Sequence, residues 1–382
     1  MTRHYLDHAS TSPARPDVVA AMLPWFSAAD PGRAHAEGLA ARVAVEEARA
    51  QVAGLLGARS REVVFTSGGT EAVVTATWMA TERGDHVVVP AVEHRCVREA
   101  SALAEVALVG VDGVGRVDPD EVAAAVVPGR TALVHCQLAN HEVGTLQPVA
   151  EVVERCRALG VLTHVDAAAA AGHVPVDFGA LGADLLSVSA HKLGGPPGVG
   201  CLLVRRGLRL RPLIVGGDQE RARRAGTENV AGIVGFGTAA EALAAGGLAT
   251  EAAQAGALTG TVVDAARSGA LGAGVTVLGD PEPGGRLPSL VCLAVAGVEA
   301  EPVLLGLDAA GVAVHSGSAC SSESLEPSPV LEAMGVDAER SLRVSVGWST
   351  TAADVGAFCD ALPAVVARLR ALAEAPAPAS PS

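Results

Sequence analysis

Lys192 closes a short apolar run, Leu185-Leu186-Ser187-Val188-Ser189-Ala190-His191-Lys192, and the Leu193-Gly194-Gly195-Pro196-Pro197-Gly198 that follows forbids the strand from continuing. The pattern predicts a lysine at the mouth of a buried strand, where partial desolvation lowers its pKa and frees the amine for Schiff-base chemistry. A second apolar run, Val161-Leu162-Thr163-His164-Val165, ends in Asp166. A carboxylate and an amine on neighbouring strand ends are the two groups that pyridoxal phosphate (PLP) needs. The acid keeps the pyridine nitrogen protonated so that the ring is an electron sink, and the lysine carries the aldehyde carbon.

Other stretches carry chemistry of their own. Glu62-Val63-Val64-Phe65-Thr66 is a β-type run that Ser67-Gly68-Gly69-Thr70-Glu71 turns into a helix over 72–80. Free backbone N–H groups and the helix dipole converge at such a turn and make an anion site. The loop Gly216-Gly217-Asp218-Gln219-Glu220-Arg221-Ala222-Arg223-Arg224-Ala225-Gly226-Thr227-Glu228-Asn229 is either a solvated loop or a phosphate contact, since arginine and Gly-Thr suit both. In the polar, small-residue segment from His315 to Ser328, Cys320 is not a core cysteine and reads as an exposed, reactive thiol.

These residues need elements to position them. Helical patterns cover about 16–25 and 39–56, separated by the breaker Asp30-Pro31-Gly32. Strand-like runs then recur at 86–89, 107–111, 131–135, 161–165 and 185–189, mostly separated by helical stretches. That alternation predicts a parallel sheet wrapped by helices, with ligands at the strands' carboxyl ends, where Thr70, Asp166 and Lys192 all fall. The run 198–204 arrives through a short connection and reads as antiparallel. A helical region over 233–266 leads to short strands at 290–295, 311–315 and 341–346 among helices, an α+β unit; the Ala/Pro/Ser tail reads as disordered.

Composition bounds the function. The 382 residues, 49% hydrophobic, allow a large core in two domains. A net charge of −14 and 2% aromatic content argue against direct nucleic-acid contact. Seven cysteines with no Cys-x-x-Cys pair suggest neither a disulfide framework, nor a zinc ribbon, nor any other metal site, and fit a reducing cytosol. No apolar run approaches the roughly 18 residues of a membrane span, so the expectation is a soluble cytoplasmic protein with no membrane partner.

Taken together, the chain resembles the cysteine desulfurases among the class V, fold-type I PLP enzymes, the nitrogenase and iron–sulfur-cluster type. The resemblance rests on Tyr5-Leu6-Asp7, 65–71, Glu93-His94, Glu142-Val143-Gly144-Thr145, His164-Val165-Asp166-Ala167, Ser189-Ala190-His191-Lys192, 217–229, Ser316-Gly317-Ser318-Ala319-Cys320 and Arg343-Val344-Ser345-Val346-Gly347. It implies a fold-type I α/β transferase: a large PLP-binding domain (15–255) with a mostly parallel seven-stranded sheet, a smaller α+β domain (1–14 and 256–375) carrying the catalytic cysteine loop, and a disordered tail (376–382). It also implies that Lys192 holds PLP covalently, Asp166 pairs with its ring nitrogen, and His94 stacks on the ring and shuttles protons. Gly69, Thr70, Ser189 and His191 would bind the phosphate, His141 would also contact the cofactor, and Thr227 would reach the partner subunit's phosphate in a homodimer. Arg343 and Asn140 would hold the substrate L-cysteine. Cys320 would take its sulfur as a persulfide, leave L-alanine, and pass the sulfur to an acceptor protein in a cluster-assembly or thiolation pathway.

The chain departs from that pattern at four places. Ala169 stands where the family usually has Gln, His141 where it has Asn, Asp30-Pro31-Gly32-Arg33 where it has Asn-Pro-Ser-Ser, and Ala222 where it has Gly. Two other readings stand beside this one: another class V PLP enzyme (a selenocysteine or other C–S lyase, or an aminotransferase), from which Cys320 discriminates, and, on the substitutions at His141 and Ala169, a weakened, non-catalytic sulfur-relay paralogue.

Overall fold

A computed structural model of the chain describes residues 3–244, 246–282, 284–316 and 327–374. Its centre is a seven-stranded sheet in the spatial order Val63–Thr66, Gly200–Val204, Leu185–Ser189, Leu162–Asp166, Thr131–Gln137, His86–Pro90, Glu105–Val109. Only Gly200–Val204 runs against its neighbours; the other pairs are parallel. The five inner strands and Val63–Thr66 are buried along their whole length, because helices cover both faces of the sheet and leave no side for polar alternation.

On one flank the helix Ala36–Leu55 lies along Val230–Ala244. Its start is capped by His35, whose Nδ1 accepts the Gly38 N–H at 3.2 Å. The two helices approach closely because they carry small residues. A Cβ at Gly237 would lie 2.6 Å from Ala48 Cα, so only glycine fits there. The predicted helix over 233–266 is in fact two, Val230–Ala244 and Gly247–Arg267, bent by 76°. Gly246, at φ 90°, takes the left-handed conformation that side chains resist, and the chain turns there. Among the described residues no single helix is long and apolar enough to cross a membrane.

A second core gathers Leu6, the later part of Gly247–Arg267, and apolar residues between Leu271 and Val366 around a four-stranded antiparallel sheet. That sheet holds Val275–Leu278, which the sequence reading passed over, Leu290–Val295, Ser341–Ser345 and His315–Ser316. The strand expected over 311–315 is broken: Val312–Ala313 pairs instead with His4–Tyr5 in a sheet of its own. The N-terminal segment therefore stitches the two units. His4–Tyr5 pairs with the second, while Ser12 N–H reaches His191 O at 2.9 Å in the first.

Candidate active site

Asp166 ends its strand beside Ser187, its register partner on the next strand. Its Oδ1 accepts from Ser187 Oγ and from the Ala168 N–H, each at 3.0 Å, which aims one carboxylate edge and leaves Oδ2 for a ligand. The next strand runs out at Ser189, and a single 3₁₀ turn carries Ala190, His191 and Lys192. Gly194, at φ 84°, and Gly195, whose N–H donates to Ala190 O at 3.0 Å, fold the chain back behind that turn. Lys192 Nζ donates to the carbonyls of Ala9 and Ser10.

These groups face one cavity of ≈ 200 Å³. It is lined by Gly69, Thr70, His94, His141, Asp166, Ser189, His191 and Lys192, eight of the nine residues expected to hold the cofactor. Gly69 and Thr70 open the helix Gly69–Ala80, whose first-turn N–H groups have no partner within the helix. Thr227, the ninth, lines a separate cavity of ≈ 160 Å³ with Ser67, Arg224 and Glu228.

The electrostatics keep the imidazoles neutral. His94 caps the helix Arg95–Ser101 and packs edge-on against His141, ring centres 4.9 Å apart. Burial first, then His141, lowers the His94 pKa to about 4, against an opposing pull from Asp166. Burial, with the Arg343 and Lys192 charges, lowers His141 to about 3. Glu93, the buried residue that precedes His94, accepts the Gln137 N–H at 2.5 Å, and its carboxyl pKa is pushed well up by burial and by Asp166. Glu142 is raised to about 7 by burial, although the Ser328 hydroxyl donates to it at 2.5 Å.

Arg343 is 1% exposed. Its Nη1 donates to His141 O at 3.0 Å, and its Nη2 to Asp7 Oδ1 at 3.0 Å and Ser10 Oγ at 2.6 Å, while Nε is buried without a partner. Asn140, expected beside it on the substrate, spends its side chain on the turn it builds. Oδ1 accepts from Glu142 N and Val143 N, Nδ2 donates to Val92 O, and Asn140 does not line the cavity. Cys320 lies outside the described residues. The arginine loop is not simply solvated, because Glu220 is buried and paired through both oxygens with Arg49 at 2.7 and 2.8 Å.

Sequence reasoning passed over Cys96 and Gln137, which also line the cavity, and the Asp7 and Ser10 side chains on Arg343. Cys96 stands two residues after His94, a spacing that signals shared helix-cap geometry; for Gln137 the sequence carries no such signal.

The donor set fits PLP. An anion pole at Thr70, Ser189 and His191, an acid at Asp166, an amine at Lys192 and a flat ring at His94 share one cavity, and His141 Nδ1 is buried there without a hydrogen-bond partner. The pattern of the family described as Aminotransferase class-V matches residues 4–358. A cysteine desulfurase IscS of Dictyoglomus turgidum is 39% identical over 96% of this chain and 95% of its own length. The chain belongs to the cysteine desulfurase family. Among solved structures, a NifS-like protein superposes with a TM-score of 0.88 at 31% identity, over 96% of this chain and all of its own. One described as SspA in complex with cysteine superposes with a TM-score of 0.76 at 28% identity, over 91% of this chain and 100% of its own. Cysteine desulfurases are PLP-dependent, and the fold here is that of the fold-type I enzymes.

Proposed function

We infer that this chain is a PLP-dependent cysteine desulfurase that converts L-cysteine to L-alanine and carries the sulfur as a persulfide to an acceptor protein. The observation that carries the reading is the meeting of Lys192 and Asp166 in one cavity with an anion-binding helix start and a neutral histidine. When bound, PLP supplies an electron sink for the substrate's α-carbon.

The chain's own residues do the rest. Lys192 anchors the group covalently, Asp166 holds a proton on its ring nitrogen, and the helix start at Thr70, with Ser189 and His191, holds its phosphate. Thr227 reaches the phosphate of a second copy, which makes the working enzyme a homodimer. Arg343 lines none of the described cavities and its Nη atoms hold His141 O, Asp7 and Ser10, so it binds the substrate carboxylate only by exchanging those partners; its unpartnered Nε–H supports this role, since a buried donor left unmade costs about 1–3 kcal/mol. Cys320 attacks the substrate sulfur, the C–S bond breaks, and the sulfur remains on the enzyme. The division into 15–255 and 1–14 with 256–375 is supported by the core that Leu6 shares with 255–366, while Gly247–Arg267 runs across the boundary, Leu287 and Leu290 pack into the larger unit's core, and Val92 and Val143 join Cys292, Val330, Leu331 and Met334 in a cluster between the units. Cys136, Cys156, Cys201, Cys292 and Cys359 are free thiols, in keeping with a cytoplasmic site of action.

Incubation with L-cysteine and a reductant tests the reading: alanine and sulfide should appear in equal amounts. Pyruvate and ammonia in place of alanine would replace it with a C–S lyase.

A further inference from the structure

The guanidinium of Arg343 is paired on one edge and only half paired on the other. Nη1 donates to His141 O at 3.0 Å, in a turn that Asn140 Oδ1 pins through Glu142 N and Val143 N. Nη2 donates to Asp7 Oδ1 at 3.0 Å and to Ser10 Oγ at 2.6 Å. Nε–H lies on the same edge as Nη2 and is buried without a partner. A carboxylate that meets that edge side-on takes both N–H groups at once, whereas Asp7 takes one. The turn that carries Asp7 is built to let go. The Asp7 side chain is 15% exposed against 1% for Arg343, and Ser10 Oγ lies 2.9 Å from Asp7 Oδ1, so the hydroxyl can keep the carboxylate when the arginine leaves it. Ser10 also joins the two cations: its carbonyl accepts from Lys192 Nζ at 3.0 Å while its hydroxyl accepts from Arg343. Lys192 lines the cofactor cavity and Arg343 does not, so Ser10 stands between the arginine and that cavity.

We propose that Asp7 is an internal stand-in for the substrate's α-carboxylate, pairing Arg343 while the site is empty and giving way when an amino acid enters. The incoming carboxylate bonds Nε and Nη2 together, and Nη1 stays on His141 O. Carboxylate replaces carboxylate, so the buried guanidinium is never left without a counter-charge. The inference rests on the reading of Arg343 as the substrate's carboxylate site and goes beyond it, because Asp7 then competes with the substrate and sets how tightly a carboxylate is held. The sign distinguishes this from simple support: loss of a residue that only aligned Arg343 would weaken binding, whereas loss of a competitor tightens it.

The test uses the PLP-loaded protein and two probes, L-alanine and ethylamine, which differ by the carboxylate; binding is read from the cofactor's visible spectrum. Asp7→Asn keeps the shape and the Oδ1 acceptor and removes the charge. It should lower the half-saturating concentration of L-alanine about fivefold and leave that of ethylamine unchanged. Arg343→Gln should raise the value for L-alanine about tenfold or more, again without effect on ethylamine. If Arg343→Gln weakens L-alanine but Asp7→Asn weakens it too, or leaves it unchanged, the proposal is overturned. A fall shared equally by ethylamine also overturns it, since the carboxylate is then not what Asp7 opposes. If Arg343→Gln leaves L-alanine unchanged, the carboxylate reading of Arg343 fails, and the proposal fails with it. Where Asp7→Asn does not fold, Ser10→Ala removes the other resting partner of Nη2 and decides by the same sign.

Discussion

At the scale of single residues, the site rests on strand ends that present one functional group each. Asp166 is aimed by Ser187 and by the Ala168 N–H, and Lys192 by a glycine-backed turn. In the sequence both groups were marked by an apolar run that stops on a polar residue. Lys192→Ala should therefore abolish covalent attachment of the cofactor: borohydride reduction and peptide mapping should find the label on Lys192 in the native protein and on no lysine in the variant. A labelled peptide lacking Lys192 would overturn the assignment. The Lys192 amine also touches the Ala9 and Ser10 carbonyls, and Ser10 is the residue that Arg343 uses. Nothing in the local sequence brings position 10 to position 192, because that contact depends on how the N-terminal segment threads between the two cores.

At the scale of elements, legibility followed hydrophobic period. Buried strands such as Leu185–Ser189 and Leu290–Val295 were found to the residue, because a short run of apolar and small residues between turn residues has few other readings. Val275–Leu278 was missed because its alternation is half exposed, and the break at Gly246 was missed inside an Ala/Gly run that reads as one helix. The arginine loop stayed open between solvent and a phosphate contact, because its charges suit both, and neither reading contained the buried Arg49–Glu220 pair, which holds Glu220, Arg221 and Ala222 at φ 49°, 58° and 58°, all left-handed. An L-residue there costs about 1–2 kcal/mol, and glycine would relieve this at an unfolded-state cost of about 0.5–1 kcal/mol. Ala222→Gly should therefore stabilise the protein by about 0.5–1 kcal/mol, read as a rise in the denaturation midpoint with an unchanged slope. A lowered midpoint would mean that the turn is held without strain at Ala222.

At the scale of the whole molecule, burial has been spent on imidazoles. Seven histidines, His8, His94, His135, His141, His164, His173 and His191, have pKa values lowered with burial as the largest cause. The His135 and His164 pair lies in the sheet core and lines none of the described cavities. Thr77 Oγ1 bonds to Val73 O and lies 3.3 Å from His135 Nε2, and His135 Nδ1 lies 2.9 Å from His164 Nδ1. The threonine hydrogen is spent on the carbonyl, so His135 donates through Nε2 and accepts from His164, whose Nε2 is left as a buried lone pair without a partner. The folded pKa of His135 is about 3 and that of His164 well below the usual value, whereas in the unfolded chain each lies near 6.5. Between those values the unfolded chain binds protons that the folded chain refuses. Stability is then complete above about pH 6.5 and falls as the pH drops, by about 1.4 kcal/mol per pH unit for each such proton. His164→Asn should lower stability at neutral pH, since it breaks the chain of hydrogen bonds, and should also make the acid limb shallower by one proton's worth. Urea denaturation at a series of pH values separates the two effects: an acid limb as steep in the variant as in the native protein would show that His164 is not one of the groups that refuse the proton.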